Sequence, residues 1–274
     1  MRENWARIVM LVVILFQVVV VAGCGESLLI SPWGNVAMNV ISDFFFAVGL
    51  TLFLLFLHQR MLVPAREFFG IRQKEPIQVF VSTHASATTT TQRVMTSEEY
   101  EAADEFRSLV KRQFPEFIAS WARLLGIDVD APEVVIKGSP LGKLDRQPGW
   151  GSVVLIGGPV RNSLSEFYLT NCDPWLGFDA DNNKFVKRVG KGEQATMQEL
   201  DCSDRLAMVQ KLACNGTAAI IVFGFGEVET AAAVRYLAYQ WKTLVRTHQS
   251  RPFARLLFVH PLGHVEVLGD YSDS

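Results

Sequence analysis

Two short segments combine glycine turns with polar residues in a pattern that could bind a small ligand. The first is VVLIGGPVRNSLSEF, in which Gly157, Gly158 and Pro159 break an apolar run and Asn162 and Ser163 stand at the start of a helix. The second is AAIIVFGFGEVETAAAV, with Gly224 and Gly226 in the turn and Thr230 about one turn into the next helix. In an open parallel sheet, ligands bind beyond the carboxyl ends of strands. There glycine lets the backbone come close, and helix N-termini offer free N–H groups. Each turn alone is equally well explained as the tight strand-to-helix connection this kind of fold needs.

Glutamates supply the catalytic alternative. Glu166, Glu227 and Glu229 would stand at the mouth of such a pocket, where a carboxylate could orient a ribose hydroxyl or stabilise an oxocarbenium-like centre. Glu166 also fits a capping box, Ser163-Leu-Ser-Glu166, and Glu229 a first-turn acid favoured by the helix dipole.

Several chemistries are disfavoured. The stretch Gly224-Phe-Gly226-Glu-Val-Glu229 lacks the third glycine of a dinucleotide fingerprint, and its glutamates would repel a pyrophosphate. The chain contains no GxxxxGK[ST] loop and no GxSxG elbow. His260 and His264 face each other across an expected hairpin without a third metal ligand, so no metal site is expected, and no cofactor. Asp173, Asp179 and Asp181 read as a solvated hairpin turn. Cys24, Cys172, Cys202 and Cys214 include no CxxC pair. They read as ordinary thiols of a reducing compartment, with Cys202–Cys214 the pairing open to an exported chain.

The two glycine turns also carry a family resemblance. GGPxxN followed by GxGxxxTxAA resembles a sparsely characterised group of prokaryotic, membrane-anchored Rossmann-like domains. The matching positions are Gly157, Gly158, Pro159 and Asn162, then Gly224, Gly226, Thr230, Ala232 and Ala233; Glu229 stands where the group has glycine. The resemblance implies nucleotide-related sensing and supplies no reaction. More distantly, the arrangement is similar to Rossmann variants that bind nucleotide derivatives, some of which cleave N-glycosidic bonds with a glutamate.

The elements that would position these turns follow from periodicity. Strands are expected at 77–81, 132–137, 153–156 and 218–223. Helices are expected from Thr96-Ser-Glu-Glu99 to about 114, over 117–125, after Ser163, after Thr196-Met-Gln-Glu199 and from 227 to about 245. The Ser/Thr-rich stretch 82–92 reads as a loop, 178–185 as a hairpin, and 256–260 with 264–268 as a C-terminal β-hairpin. Strands alternating with helices imply a three-layer Rossmann-like α/β domain, 77–274, on a mostly parallel sheet. Ala231–Ala233 could serve packing on that sheet or contact between protomers of a homo-oligomer.

Ahead of this domain the chain is apolar. Up to Leu57 its only charged residues are Arg2, Glu3, Arg7, Glu26 and Asp43, and mean hydropathy over the whole chain is +0.20. Segments 8–24 and 40–61 read as two spans of a transmembrane helical hairpin (1–62) in contact with membrane lipid, and 63–76 as a bent juxtamembrane linker. Arginines flank the outer ends of both spans, so the inner membrane should hold the protein with its N-terminus and its C-terminal domain cytoplasmic. Val21-Ala-Gly-Cys24 also resembles a lipobox, making Cys24 a lipidation candidate. The remainder of the chain is nearly charge-balanced, which argues against a nucleic-acid partner.

The sequence therefore points to a membrane-anchored sensor or effector that binds a nucleotide-related ligand. Alternatives are a nucleotide or NAD glycohydrolase and a non-catalytic tethered scaffold.

Overall fold

The computed structural model describes residues 32–57, 60, 63–71, 75–85, 93–112, 132–140, 144, 151–189, 196–200, 204–249 and 251–272. The first expected span, Cys24, Cys202 and the expected helix over 117–125 lie outside these residues. The chain divides into two compact units, Met1–Val63 with Pro115–Asp130 and Pro64–Phe114 with Ala131–Ser274.

In the first unit, α1 (Pro32–Leu57) covers most of the second expected span, with Asp43 its sole charged residue. Val40, Phe44, Phe46, Leu52 and Phe53 are exposed along it. Among the described residues no helix is long and apolar enough to cross a membrane.

The second unit opens at Pro64, within α2 (Val63–Phe69), where the sequence suggested only a bent connector. Aromatic burial fixes it. Phe68 stacks on Phe253 with ring centroids 6.1 Å apart, and Phe69 meets Phe106 edge-on at 5.9 Å. The elements that follow are β1 (Ile77–Val81), β2 (Thr83–Ala85), β3 (Arg93–Met95), α3 (Ser97–Arg112), β4 (Val134–Gly138), β5 (Val153–Ile156) and α4 (Ser163–Asn171). Then come β6 (Leu176–Asp179), β7 (Lys184–Val189), β8 (Thr196–Glu199), β9 (Leu206–Cys214), β10 (Thr217–Gly224), α5 (Glu227–His248), β11 (Phe253–Val259) and β12 (Val265–Ser272).

Seven strands form one sheet in the order β12-β11-β9-β10-β5-β1-β4. Neighbours among β4, β1, β5 and β10 pair in parallel, and β9 and β12 run against the direction shared by the other five. The mixed α/β class, the mostly parallel sheet and the C-terminal β11–β12 hairpin are therefore as expected.

Alternate residues of each strand face opposite layers. One face carries Phe80, Leu155, Met208, Ile221 and Phe223, packed with Leu164, Phe167 and Tyr168 of α4 and with Phe185 of the small β6-β7-β8 sheet. The other receives α3 and α5, which pack together, with Ala102, Ala103, Ala232 and Ala233 buried on them. A fully buried Gln210 ties the layers, accepting from the Trp175 and Leu176 amides at 2.8 and 2.9 Å and donating back to the Leu176 carbonyl.

Several local expectations are corrected. Thr196–Glu199 is not a helix start but the exposed strand β8, whose Glu199 pairs with Lys184 across the sheet. T-x-x-E spacing alternates equally well along a strand, and β7 supplies the partner. The expected loop 82–92 contains the strand β2, which pairs with β3 just beyond the loop. Cys172 and Cys214 are not free thiols: they form a disulfide joining the end of α4 to the end of β9. The hairpin turn at 180–183 is as expected, with Asp179 Oδ1 accepting from the amides of Asp181 and Asn182.

Candidate functional site

Strands β5 and β10 are adjacent and parallel, so the two glycine turns lie side by side at the carboxyl edge of the sheet. The link is direct: the Gly157 amide donates to the Val222 carbonyl at 3.0 Å. Gly157 has φ +108°, a conformation that strongly favours glycine. Gly158 packs so tightly that a Cβ there would stand 3.2 Å from the Phe223 ring. Its carbonyl accepts from the amides of Arg161 and Asn162, closing the turn around Pro159.

Asn162, and not Ser163, caps α4: its Oδ1 accepts from the Leu164 and Ser165 amides. Oδ1 also accepts from the Ser139 hydroxyl, and Nδ2 donates to the carbonyls of Ile156 and Phe80. Asn162 is fully buried, and its polar atoms are committed to binding the ends of β1, β4 and β5 together. Ser163 Oγ donates to the Pro140 carbonyl at 2.5 Å.

Thr230 is similarly engaged in the second turn. Its hydroxyl accepts from the Gly224 amide at 3.0 Å and donates to the Gly226 carbonyl at 2.8 Å. Gly224 is dictated by packing, because a Cβ there would be 2.3 Å from the Cβ of Glu229. Gly226 is the N-cap of α5 and has no side chain to satisfy the helix. Glu229 folds back over it, with Oε2 2.8 Å from where a Cβ on Gly226 would stand. Glu227 is half exposed and lies 3.9 Å from Arg161, an ion pair across the mouths of the two turns. Glu166 follows the cap in the first turn of α4, its amide bonded to the Asn162 carbonyl.

The structure thus gathers all eight sequence-derived binding positions at one edge. The side chains of Asn162, Ser163 and Thr230 hold the turns in shape, while the backbone of 157–158 and 226, with Arg161 and Glu227, forms the rim.

Two further residues of this edge are not evident from the sequence, Ser82 and Glu99. Glu99 sits at the capping-box position of α3 yet does not bond the N-cap amide. Its Oε2 accepts instead from the Ser82 amide at the end of β1 and from the Thr96 hydroxyl, both at 2.9 Å. Glu99 is only 6% exposed and Ser82 is fully buried. T-x-x-E spacing marks Glu99 as a helix-start acid, but nothing local reveals that β1 ends beside it.

Three helix N-termini face this edge, and each already carries acids: Glu98 and Glu99 on α3, Glu166 on α4, Glu227 and Glu229 on α5. These carboxylates neutralise the dipole ends that would otherwise attract a phosphate. The Glu98 carboxyl is held below its usual range by its own backbone amide and the Ser97 hydroxyl, with a smaller contribution from Arg161.

Elsewhere, His260 and His264 have ring centroids 5.4 Å apart, and His260 Nε2 lies 3.1 Å from Glu266 Oε2. Among the described residues no cluster of three or more His, Cys, Asp or Glu could hold a metal ion. No family model matches the chain, and neither do any of the curated proteins or solved structures compared with it.

Proposed function

We propose that the α/β unit is the ligand-binding part of a membrane-tethered sensor, taking a small nucleotide-related molecule at the rim formed by the 157–163 and 224–230 turns. One observation carries this reading: the two turns occupy neighbouring parallel strands and share a hydrogen bond, so a single ligand can contact both. A ligand there would touch the starts of α4 and α5 on opposite faces of the sheet, which would let occupancy be felt by both layers.

Tethering is supported by the apolar segment 8–24 and by the exposed apolar side chains of α1. Flanking arginines favour a cytoplasmic domain. The Cys172–Cys214 bond pulls the other way, because disulfides persist on the oxidising side of a membrane. Protease added outside intact spheroplasts separates the two orientations. Digestion of the C-terminal unit would place it outside.

The binding reading is tested by thermal unfolding of the full chain in detergent against ribonucleosides and nucleotides. A ligand at about 100 times its Kd should add about 2.7 kcal/mol to the apparent stability. No shift with any member of the panel would overturn the sensor.

A further inference from the structure

Resting on that reading and deepening it, we propose that Ser82 and Glu99 form a polar floor that takes the vicinal hydroxyls of a neutral ribosyl group and not a phosphate. Strand β1 is followed by α3 and β4 on one side, and β5 by α4 and the strands of the other side. The crevice between β1 and β5 is therefore the topological switch point, where open α/β sheets bind ligands. Val81 pairs with Ile156, so Ser82 and Gly157 stand next to each other at that point.

Three atoms converge there. A Cβ on Gly157 would lie 2.1 Å from Ser82 Oγ and 2.7 and 2.8 Å from the two Glu99 carboxylate oxygens. Ser82 Oγ is fully buried and has no hydrogen-bond partner. Both bonds to Glu99 fall on Oε2, and among the described residues no donor meets Oε1. Ser82 Oγ is thus a buried hydroxyl without a partner, beside a Glu99 carboxylate oxygen that accepts nothing from the described residues. Buried polar groups without partners are costly and uncommon in native structures. An adjacent pair of ligand hydroxyls satisfies both: one donates to Glu99 Oε1, the other exchanges a bond with Ser82 Oγ. The surrounding Glu98, Glu166, Glu227 and Glu229 favour a neutral donor over an anion.

The test uses the full-length protein in detergent, titrated with the four ribonucleosides, their 2′-deoxy counterparts and their 5′-monophosphates. At least one ribonucleoside should bind, about tenfold or more tighter than its 2′-deoxy form, and no more weakly than its monophosphate. Ser82→Ala should leave the unfolding temperature of the free protein unchanged or higher, since it removes an unpartnered hydroxyl, and yet weaken the ribonucleoside several-fold. Glu99→Gln, which keeps an acceptor for the Ser82 amide, should weaken it more strongly, while Glu105→Gln, at the exposed pair with Arg235, should not. Equal affinity for the deoxy form, tighter binding of the monophosphate, or binding indifferent to Ser82→Ala and Glu99→Gln overturns this assignment and leaves the sensor standing. Absence of binding by every compound overturns both.

Discussion

The hydroxyl oxygen of Ser82 occupies space that a side chain at Gly157 would need: it lies 2.1 Å from the ideal Cβ position of that glycine. Gly157 also has φ +108°, so an alanine there meets both a steric and a conformational penalty. Gly157→Ala should destabilise the protein by about 3 kcal/mol or more. Gly158 offers the control, because its Cβ would only press on the Phe223 ring at 3.2 Å. Gly158→Ala should cost about 1 kcal/mol. Equal losses by denaturant unfolding would mean that the crowding at Ser82 is not what fixes Gly157.

Asn162 couples three strand ends to one helix start, so its removal should cost more than an ordinary cap. Replacing a capping Asn by Ala costs about 0.5–2 kcal/mol. Asn162→Ala would also remove its bonds to the Ser139 hydroxyl and to the Ile156 and Phe80 carbonyls inside the protein. A total of about 3 kcal/mol is expected. Asn162→Ser should recover the cap portion alone. A loss of under about 1 kcal/mol for the alanine variant would show that the buried network contributes little.

These two residues show how far the sequence can be read. Glycine and asparagine between an apolar run and a helix place a turn correctly, since the chemistry of the turn is local. The roles within it depend on neighbours far along the chain. Asn162 resembles a ligand-facing amide until Ser139 and the end of β1 are brought beside it. Glu99 resembles a helix cap until Ser82 is found next to it. The strand β9 is hard to read from the sequence, because Gln210 and Lys211 interrupt its apolar pattern. Both are buried, Gln210 by bonding the start of β6 and Lys211 by reaching α2. The disulfide was equally hidden, since the 42-residue separation of Cys172 and Cys214 carries no spacing signal.

That disulfide gives a measurable stability term. Closing a loop of this length should stabilise the fold by about 4 kcal/mol on the chain-entropy model. Cys172→Ser, or reduction of the native chain, should lower the denaturant midpoint accordingly. Alkylating thiols at the moment of cell lysis also reports location: blocked Cys172 and Cys214 mean a reducing compartment, and an intact bond means an oxidising one. No loss of stability on reduction would show that the bond does not constrain the fold.

Lys211 provides a pH test of how α2 is held. The residue is 3% exposed, and its ammonium reaches the Glu67 carbonyl at 3.4 Å and lies 5.2 Å from the Phe68 ring centroid. Burial pushes its pKa down to about 8, with Glu67 opposing the shift. The unfolded chain, with a lysine pKa of about 10.4, therefore binds more protons than the folded one between about pH 8 and that value. Stability should rise with pH through this window, and the cost of burying the charge, on the order of 3 kcal/mol, is felt in full below it. Lys211→Met should consequently be more stable than the natural protein at pH 7, by less than that cost because the contacts to Glu67 and Phe68 are lost. The difference should narrow steadily as pH approaches 10. A gap that stays constant from pH 7 to pH 10 would mean that the Lys211 ammonium is as well solvated in the folded chain as in the unfolded one, and that α2 is not seated on it.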